Sequence, residues 1–168
     1  HQDDRGSFTE FFRNEWDSGL DQDQWSIVRS EPESFRGMHL HRRHDEYVLV
    51  VSGTMSVGLY DMRPGSPTEG VSTLFELSGD ELTYLSFPRG IVHGWYAHTP
   101  SLHVQGVSEN YDVYGQDDNL GCHWSDPALG ITWPSTPKLV APRANAFPSL
   151  ARLIAKTLEI DPGFRYGV

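Results

Sequence analysis

Short apolar and aromatic runs with a two-residue period recur along this chain, separated by Gly, Pro, Asp or Ser. They are "SFTEFF", "WSIVRS", "GMHLH", "EYVLVV", "TMSVGLYDM", "STLFEL", "LTYLSF", "GWYAH" and "LHVQGVS". Alternation is cleanest at Met55, Val57 and Leu59, which share one face. Evenly spaced strands of this length predict an all-β barrel or sandwich, jelly-roll-like in layout. The tail is different. Leu150, Leu153, Ile154 and Leu158 follow a helical period, with Pro148 near the first turn. The expected organisation is a single domain over 1–168, with strands over about 7–112, an ordered proline-rich loop over about 113–146 and one helix over about 148–159 packed on the barrel.

Composition narrows the function classes. A formal net charge of −10 argues against nucleic acid or an anionic membrane as partner. Arg36, Arg42 and Arg43 nonetheless stand beside a histidine cluster, and local arginines bind phosphate within an acidic protein; a solvated turn is the alternative for Arg42 and Arg43. Cys122 is the only cysteine, which excludes an internal disulfide and a thiolate-rich zinc site and makes a cytoplasmic location the expectation. No run approaches the ~20 apolar residues of a membrane span, and no signal peptide is visible. The chain opens at His1 without a Met, so the natural N-terminus is expected upstream.

The chemistry concentrates in "RGMHLHRRHDEYVLVVSG", residues 36–53. On a strand, His39 and His41 project to one face, with Glu46 after a short turn. His93 follows the Pro88-x-Gly90 turn of "FPRGIVHGW" and comes from a second strand. Three imidazoles and a carboxylate suit divalent Fe, Mn, Ni, Co or Zn, so His39, His41, Glu46 and His93 form a candidate metal site; the alternative is a metal-free histidine lining. His44, His98, His103 and His123 show no partner pattern and are expected to be surface or internally satisfied residues. Trp25, Trp95 and Tyr96 are candidates for stacking on a base or sugar, or for core packing.

The spacing His39-x-His41, then Glu46, Gly53 and Pro88-x-Gly90-x-x-His93, resembles the two motifs of the cupin superfamily; Ala97 stands where the second motif usually has Asn. Within that superfamily the chain is similar to the dTDP-4-dehydrorhamnose 3,5-epimerases. The matching stretches are "DDRGSFTEFF", "FRGMH", "YDMRPGSPTEG", "FPRGIVHGW", "NYD" and "WSDPALGITWP", in order over nearly the whole chain. The resemblance implies a homodimeric isomerase acting, without a metal or organic cofactor, on a nucleotide-linked keto-deoxysugar or similar small carbonyl compound. It implies His39 as general base, Arg36 on the pyrophosphate, Gln24 near the nucleotide base, and Arg5, Phe8 and Glu10 on an N-terminal strand serving nucleotide and dimer. His93 would line the pocket, and Asp61 and Arg63 would form a structural pair.

Three family positions differ. Gln105 replaces the tyrosine acid, Glu46 replaces the lysine that stabilises the enolate, and Ala144 stands near the place of the aspartate that orients the base. Ordinary double epimerisation is therefore expected to be inefficient. Tyr111 or Tyr114 is the candidate replacement acid. Exchange of lysine for Glu46, with His41 added, is consistent with conversion to a metal site. The remaining alternatives are a metal-dependent oxygenase, isomerase or lyase on a small natural product, a non-catalytic sugar-nucleotide binder, and a 3,4-ketoisomerase-like enzyme. That last family carries a similar "RG-x-H-x-H" stretch and uses both histidines in acid–base work.

Overall fold

The computed structural model describes residues 2–13, 15–16, 22–115 and 118–164. Its elements in chain order are β1 (Gln2–Asp3), β2 (Gly6–Ser7), β3 (Gln24–Ser30), β4 (Ser34–Leu40), β5 (Glu46–Ser52), β6 (Thr54–Asp61), β7 (Ser72–Ser78), β8 (Tyr84–Phe87), β9 (Ile91–Ala97), β10 (Ser101–Val107), α1 (Tyr111–Tyr114), β11 (Leu120–Gly121), a 3₁₀ turn (Pro127–Leu129), β12 (Leu139–Val140), α2 (Pro142–Asn145) and α3 (Leu150–Ile160). Two antiparallel layers face each other. One runs β3-β10-β5-β8; the other runs β11-β4-β9-β6-β7, with β12 pairing parallel to β4. This is a cupin-type jelly roll, the predicted class.

Strand β9 shows how the core is divided. All seven of its residues are buried. Ile91, Trp95 and Ala97 face the inter-sheet core with Val48, Val50, Met55, Val57 and Leu77, and Leu59 packs against that core. Val92 and Tyr96 face the other way, onto a second core with Phe35, Met38, Leu40, Cys122, Leu150 and Leu153. Covered on both faces, β9 reads as a near-continuous apolar run, as a central strand should.

Helix α3 begins later than expected. Ser149 caps it, accepting from the Arg152 amide at 3.3 Å, so Pro148 lies before the cap and not in the first turn. Leu150, Leu153 and Thr157 are its buried stripe, with Thr157 Oγ1 donating to the Leu153 carbonyl; Leu158 is 46% exposed instead. The expected "SFTEFF" strand is not formed. Pairing stops at Ser7, and 8–13 carry no strand. A strand needs a neighbour for its backbone groups, and this segment has none within the chain among the described residues. Among the described residues of 113–146, the end of α1, β11, the 3₁₀ turn, β12 and α2 follow one another.

The decisive local feature is a bulge in β4. Arg36 pairs with Trp95 and His39 with His93, so three steps on β4 match two on β9. Strict alternation would send positions 36 and 39 to opposite faces; the extra residue turns both inward while Phe35, Met38 and Leu40 stay in the outer core. Gly37 makes this feasible. Its φ is +118°, and a Cβ there would stand 2.5 Å from Gly94 Cα and 2.7 Å from the His93 carbonyl oxygen. Gly37→Ala is expected to destabilise the chain by about 2–3 kcal/mol, since backbone opposes the added carbon. Urea unfolding checks this, and a change below ~0.5 kcal/mol would show the approach to be slack.

Candidate active site

Inward side chains of β4, β5, β9 and β10 meet inside the barrel. Glu46, at the head of β5, is 1% exposed. Its Oε1 lies 3.1 Å from His41 Nε2, 3.4 Å from His93 Nε2 and 3.6 Å from His44 Nε2. Its Oε2 accepts from Gln105 Nε2 at 3.0 Å. His39 stands beside this group, its ring 6.1 Å from those of both His41 and His93, with Phe147 edge-on at 5.8 Å.

The strand ends are pinned. The Gly90 amide donates to the His41 carbonyl at 2.8 Å, fixing the turn that launches β9 to the end of β4. Arg89 N donates to Asp45 Oδ1 at 2.7 Å, and Asp45 N to Ser108 Oγ at 2.8 Å. Asp118, fully buried, closes the site from a distant loop. Its carboxylate accepts the Arg42 and Arg43 amides at 2.7 and 2.9 Å and lies 3.3 Å from His44 Nδ1. Its carbonyl accepts from His41 Nδ1 at 2.6 Å. Tyr114 stacks on His44 with ring centroids 4.3 Å apart.

Electrostatics divide the histidines. Burial, helped by neighbouring His93 and His41, pushes His39 down to about 3. Burial also lowers His41, against the pull of Glu46. His44 goes the other way: burial disfavours its cation, yet the neighbouring carboxylates of Asp118 and Glu46 push it up to about 9. Burial would raise Glu46, but the surrounding imidazoles of His93, His41 and His44 hold it well below the usual carboxylate range. Burial and Arg36 lower His103 to about 4; it packs edge-on against Trp95.

A cavity of about 540 Å³ opens onto this floor, lined by Arg36, His39, Trp95, Gln105, Val28 and Ala144 among others. Arg36 is steered there by bonds to the Arg29 carbonyl at 3.1 Å and Ser30 Oγ at 3.3 Å. The structure thus gathers Arg36, His39, His41, Glu46, His93 and Gln105. It does not gather the rest. Arg5, Phe8 and Glu10 are exposed, with Glu10 paired to Arg13. Gln24 accepts from the Tyr111 amide at 2.9 Å on the sheet edge. Tyr111 is 42% exposed and meets the cluster through Tyr114. Arg42 and Arg43 are engaged with Asp118 and Glu109, away from the cavity lining. Trp25 packs with Phe11, Phe12 and Tyr47. Asp61 binds Arg63 in two places, at 2.9 and 2.7 Å.

Two residues escaped the sequence reading. His44 belongs to the cluster; its position between Arg43 and Asp45 in a turn carries no periodicity to reveal it. Asp118 lies in a loop with no motif around it, and only the fold brings it to His44.

An enclosed imidazole–carboxylate cluster beneath an arginine-rimmed cavity defines a cupin enzyme site. A family model described as dTDP-4-dehydrorhamnose 3,5-epimerase matches residues 1–152. The dTDP-4-dehydrorhamnose 3,5-epimerase of Sinorhizobium fredii is 32% identical over 164 residues, 90% of this chain and 81% of its own. Spore coat polysaccharide biosynthesis protein SpsL of Bacillus subtilis is 29% identical over 137 residues, 79% of this chain and 89% of its own. Among solved structures, the epimerase RmlC of Legionella pneumophila, in complex with dTDP-4-keto-L-rhamnose, superposes with a TM-score of 0.86 at 26% identity, covering 99% of this chain and 89% of that one. The chain belongs to the dTDP-4-dehydrorhamnose 3,5-epimerase family, and with it to the isomerase class.

Asp118 supports the site through two backbone amides and two histidines. Asp118→Ala is expected to lower stability by about 2–3 kcal/mol, because buried donors lose their acceptor. Denaturant unfolding checks it, and an unchanged midpoint would show that water replaces the carboxylate without loss.

Proposed function

We propose that this chain epimerises a nucleotide-linked 4-keto-6-deoxysugar, or a closely similar carbonyl compound, with His39 as the base. The observation supporting this most strongly is the cavity itself, where an arginine and a neutral imidazole share one wall within an epimerase scaffold. A guanidinium on the rim suits a pyrophosphate, and the cavity has room for a sugar beside it. Neutral His39 has a lone pair free to take the acidic proton next to a ketone.

The enolate then needs a positive partner. Lys138 and Lys156 are the only lysines. Lys138 is exposed and paired with Glu33; Lys156 lies on α3. Neither belongs to the cluster. The proposal therefore includes one divalent transition metal, of the Fe, Mn, Ni, Co or Zn group, in the His/Glu cluster. When bound, it supplies the Lewis acidity that the family's lysine otherwise provides. Gln105 bridges cavity and Glu46 and orients the carboxylate. No organic cofactor enters this reading. The paired acid–base use of His39 and His41 is less favoured, since His41 is tied to Asp118 and turned toward Glu46.

A cytoplasmic homodimer completes the proposal. Phe8, Trp25 and Ile27 are exposed at 65%, 37% and 71%, along and near the β3 edge, and a second copy would cover this apolar strip. Light scattering at micromolar concentration should give twice the chain mass; a monomer would refute it.

The reaction is tested in D₂O with dTDP-4-keto-6-deoxyglucose, followed by NMR. Deuterium should enter next to the ketone, about 10²–10⁴-fold more slowly than with a tyrosine acid present. His39→Gln should stop it. Rapid exchange at both C3 and C5 would show that Gln105 and its neighbours replace the acid fully. Binding without exchange would make the chain a non-catalytic sugar-nucleotide binder.

A further inference from the structure

Three buried ring nitrogens converge on one carboxylate oxygen, and the opposite nitrogen of each ring faces another oxygen. His41 Nδ1 meets the Asp118 carbonyl at 2.6 Å, His93 Nδ1 meets the Ile91 carbonyl at 3.1 Å, and His44 Nδ1 is 3.3 Å from Asp118 Oδ2. These oxygens can only accept, so Nδ1 of His41 and of His93 carries the proton. In a neutral ring, Nε2 then presents a lone pair. Two such lone pairs would face Glu46 Oε1, at 3.1 and 3.4 Å, where water does not reach, and His44 Nε2 lies 3.6 Å from the same oxygen. His44 Nε2, His93 Nε2 and Glu46 Oε1 have no hydrogen-bond partner. Protonating one imidazole relieves one contact and leaves the other two. A cation relieves all three.

Of the distances to Glu46 Oε1, 3.1 and 3.4 Å suit neighbouring ligands of one ion, and the third, to His44, is 3.6 Å. Bonds of about 2.0–2.2 Å subtending roughly 90–110° place neighbouring ligand atoms about 3–3.5 Å apart. Two overlapping triads compete for it, His39–His41–His93 and His41–His44–Glu46. Glu46 decides between them. It contacts His41, His44 and His93, whereas His39 turns toward the cavity and Phe147.

We propose that Glu46, His41, His44 and His93 bind one divalent first-row transition ion, with His44 taking the position that strand alternation gives to His39. Three imidazoles and a carboxylate favour Mn, Fe, Co, Ni or Zn over Mg or Ca. The supporting layer is present. Gln105 holds Glu46 Oε2 and leaves Oε1 for the ion, while Asp118 fixes His41 through its carbonyl and His44 through its carboxylate. His39 stays free as a base beside the ion; this last point rests on the epimerase reading, but ion binding does not.

The test is elemental analysis of untagged protein grown with each metal, with thermal melts and the visible absorption of the cobalt(II) form. About one ion per chain and a raised melting temperature are expected. His39→Ala should keep the ion. His44→Ala should lose it, and His44→Gln, which retains a hydrogen-bonding side chain, is the second variant if His44→Ala does not fold. Gln105→Leu should weaken binding about 10–100-fold. Protein without metal that gains no thermal stability from Mn, Fe, Co, Ni or Zn overturns the proposal. So does loss of the ion in His39→Ala with retention in both His44 variants. A stoichiometric ion lost in the His44 variants, in protein that never exchanges deuterium into the keto-sugar, upholds the metal site and overturns the epimerase reading instead.

Discussion

The close approach of β4 and β9 at Gly37 and Gly94 governs the rest of the molecule. One extra residue in β4 lets Arg36 and His39 look into the same cavity while Phe35, Met38 and Leu40 remain in the outer core. Without that bulge, either the guanidinium or the imidazole would lie on the wrong face of the sheet. Two glycines make it feasible, because a Cβ on either would meet backbone or the Met38 sulfur within 2.8 Å. The positions of Arg36 and His39 therefore share one packing constraint.

Glu46 is the second constraint, and it is electrostatic. A carboxylate at 1% exposure is tolerated only with compensation. The barrel provides it from four directions: His41 from the end of β4, His44 from the following turn, His93 from β9 and Gln105 from β10. Asp118 adds a second buried carboxylate behind His44, held by two backbone amides. So much charge in one small volume is hard to explain as a stabilising core, since apolar packing would serve better. Its presence inside an epimerase-family barrel points to a working site rather than to packing.

Scaffold and site thus separate cleanly. The barrel as a whole is what the chain shares with the solved epimerase structure it superposes on. The floor of the cavity packs Glu46, His41, His44 and Gln105 against one another. Changing one of these residues shifts the charge seen by the others, so effects of substitutions within the cluster should not add.

The sequence by itself determined the strands, the helix and most of the cluster. Period-two alternation is local, so Met55, Val57 and Leu59 declare their shared face, and the motif spacing of His39, His41, Glu46 and His93 survives in the linear order. Tertiary structure alone decided what alternation cannot express. His44 sits in a turn without periodicity and joins the cluster only because Asp118, far along the chain, receives it. Position 157 rather than 158 faces the core because the helix begins at the Ser149 cap, after Pro148. The 8–13 segment stays out of the sheet because a strand requires a neighbour, which no run of residues can supply for itself. Arg36 and His39 share a wall because a bulge adds one residue to β4, and a bulge exists only in the pairing of two strands.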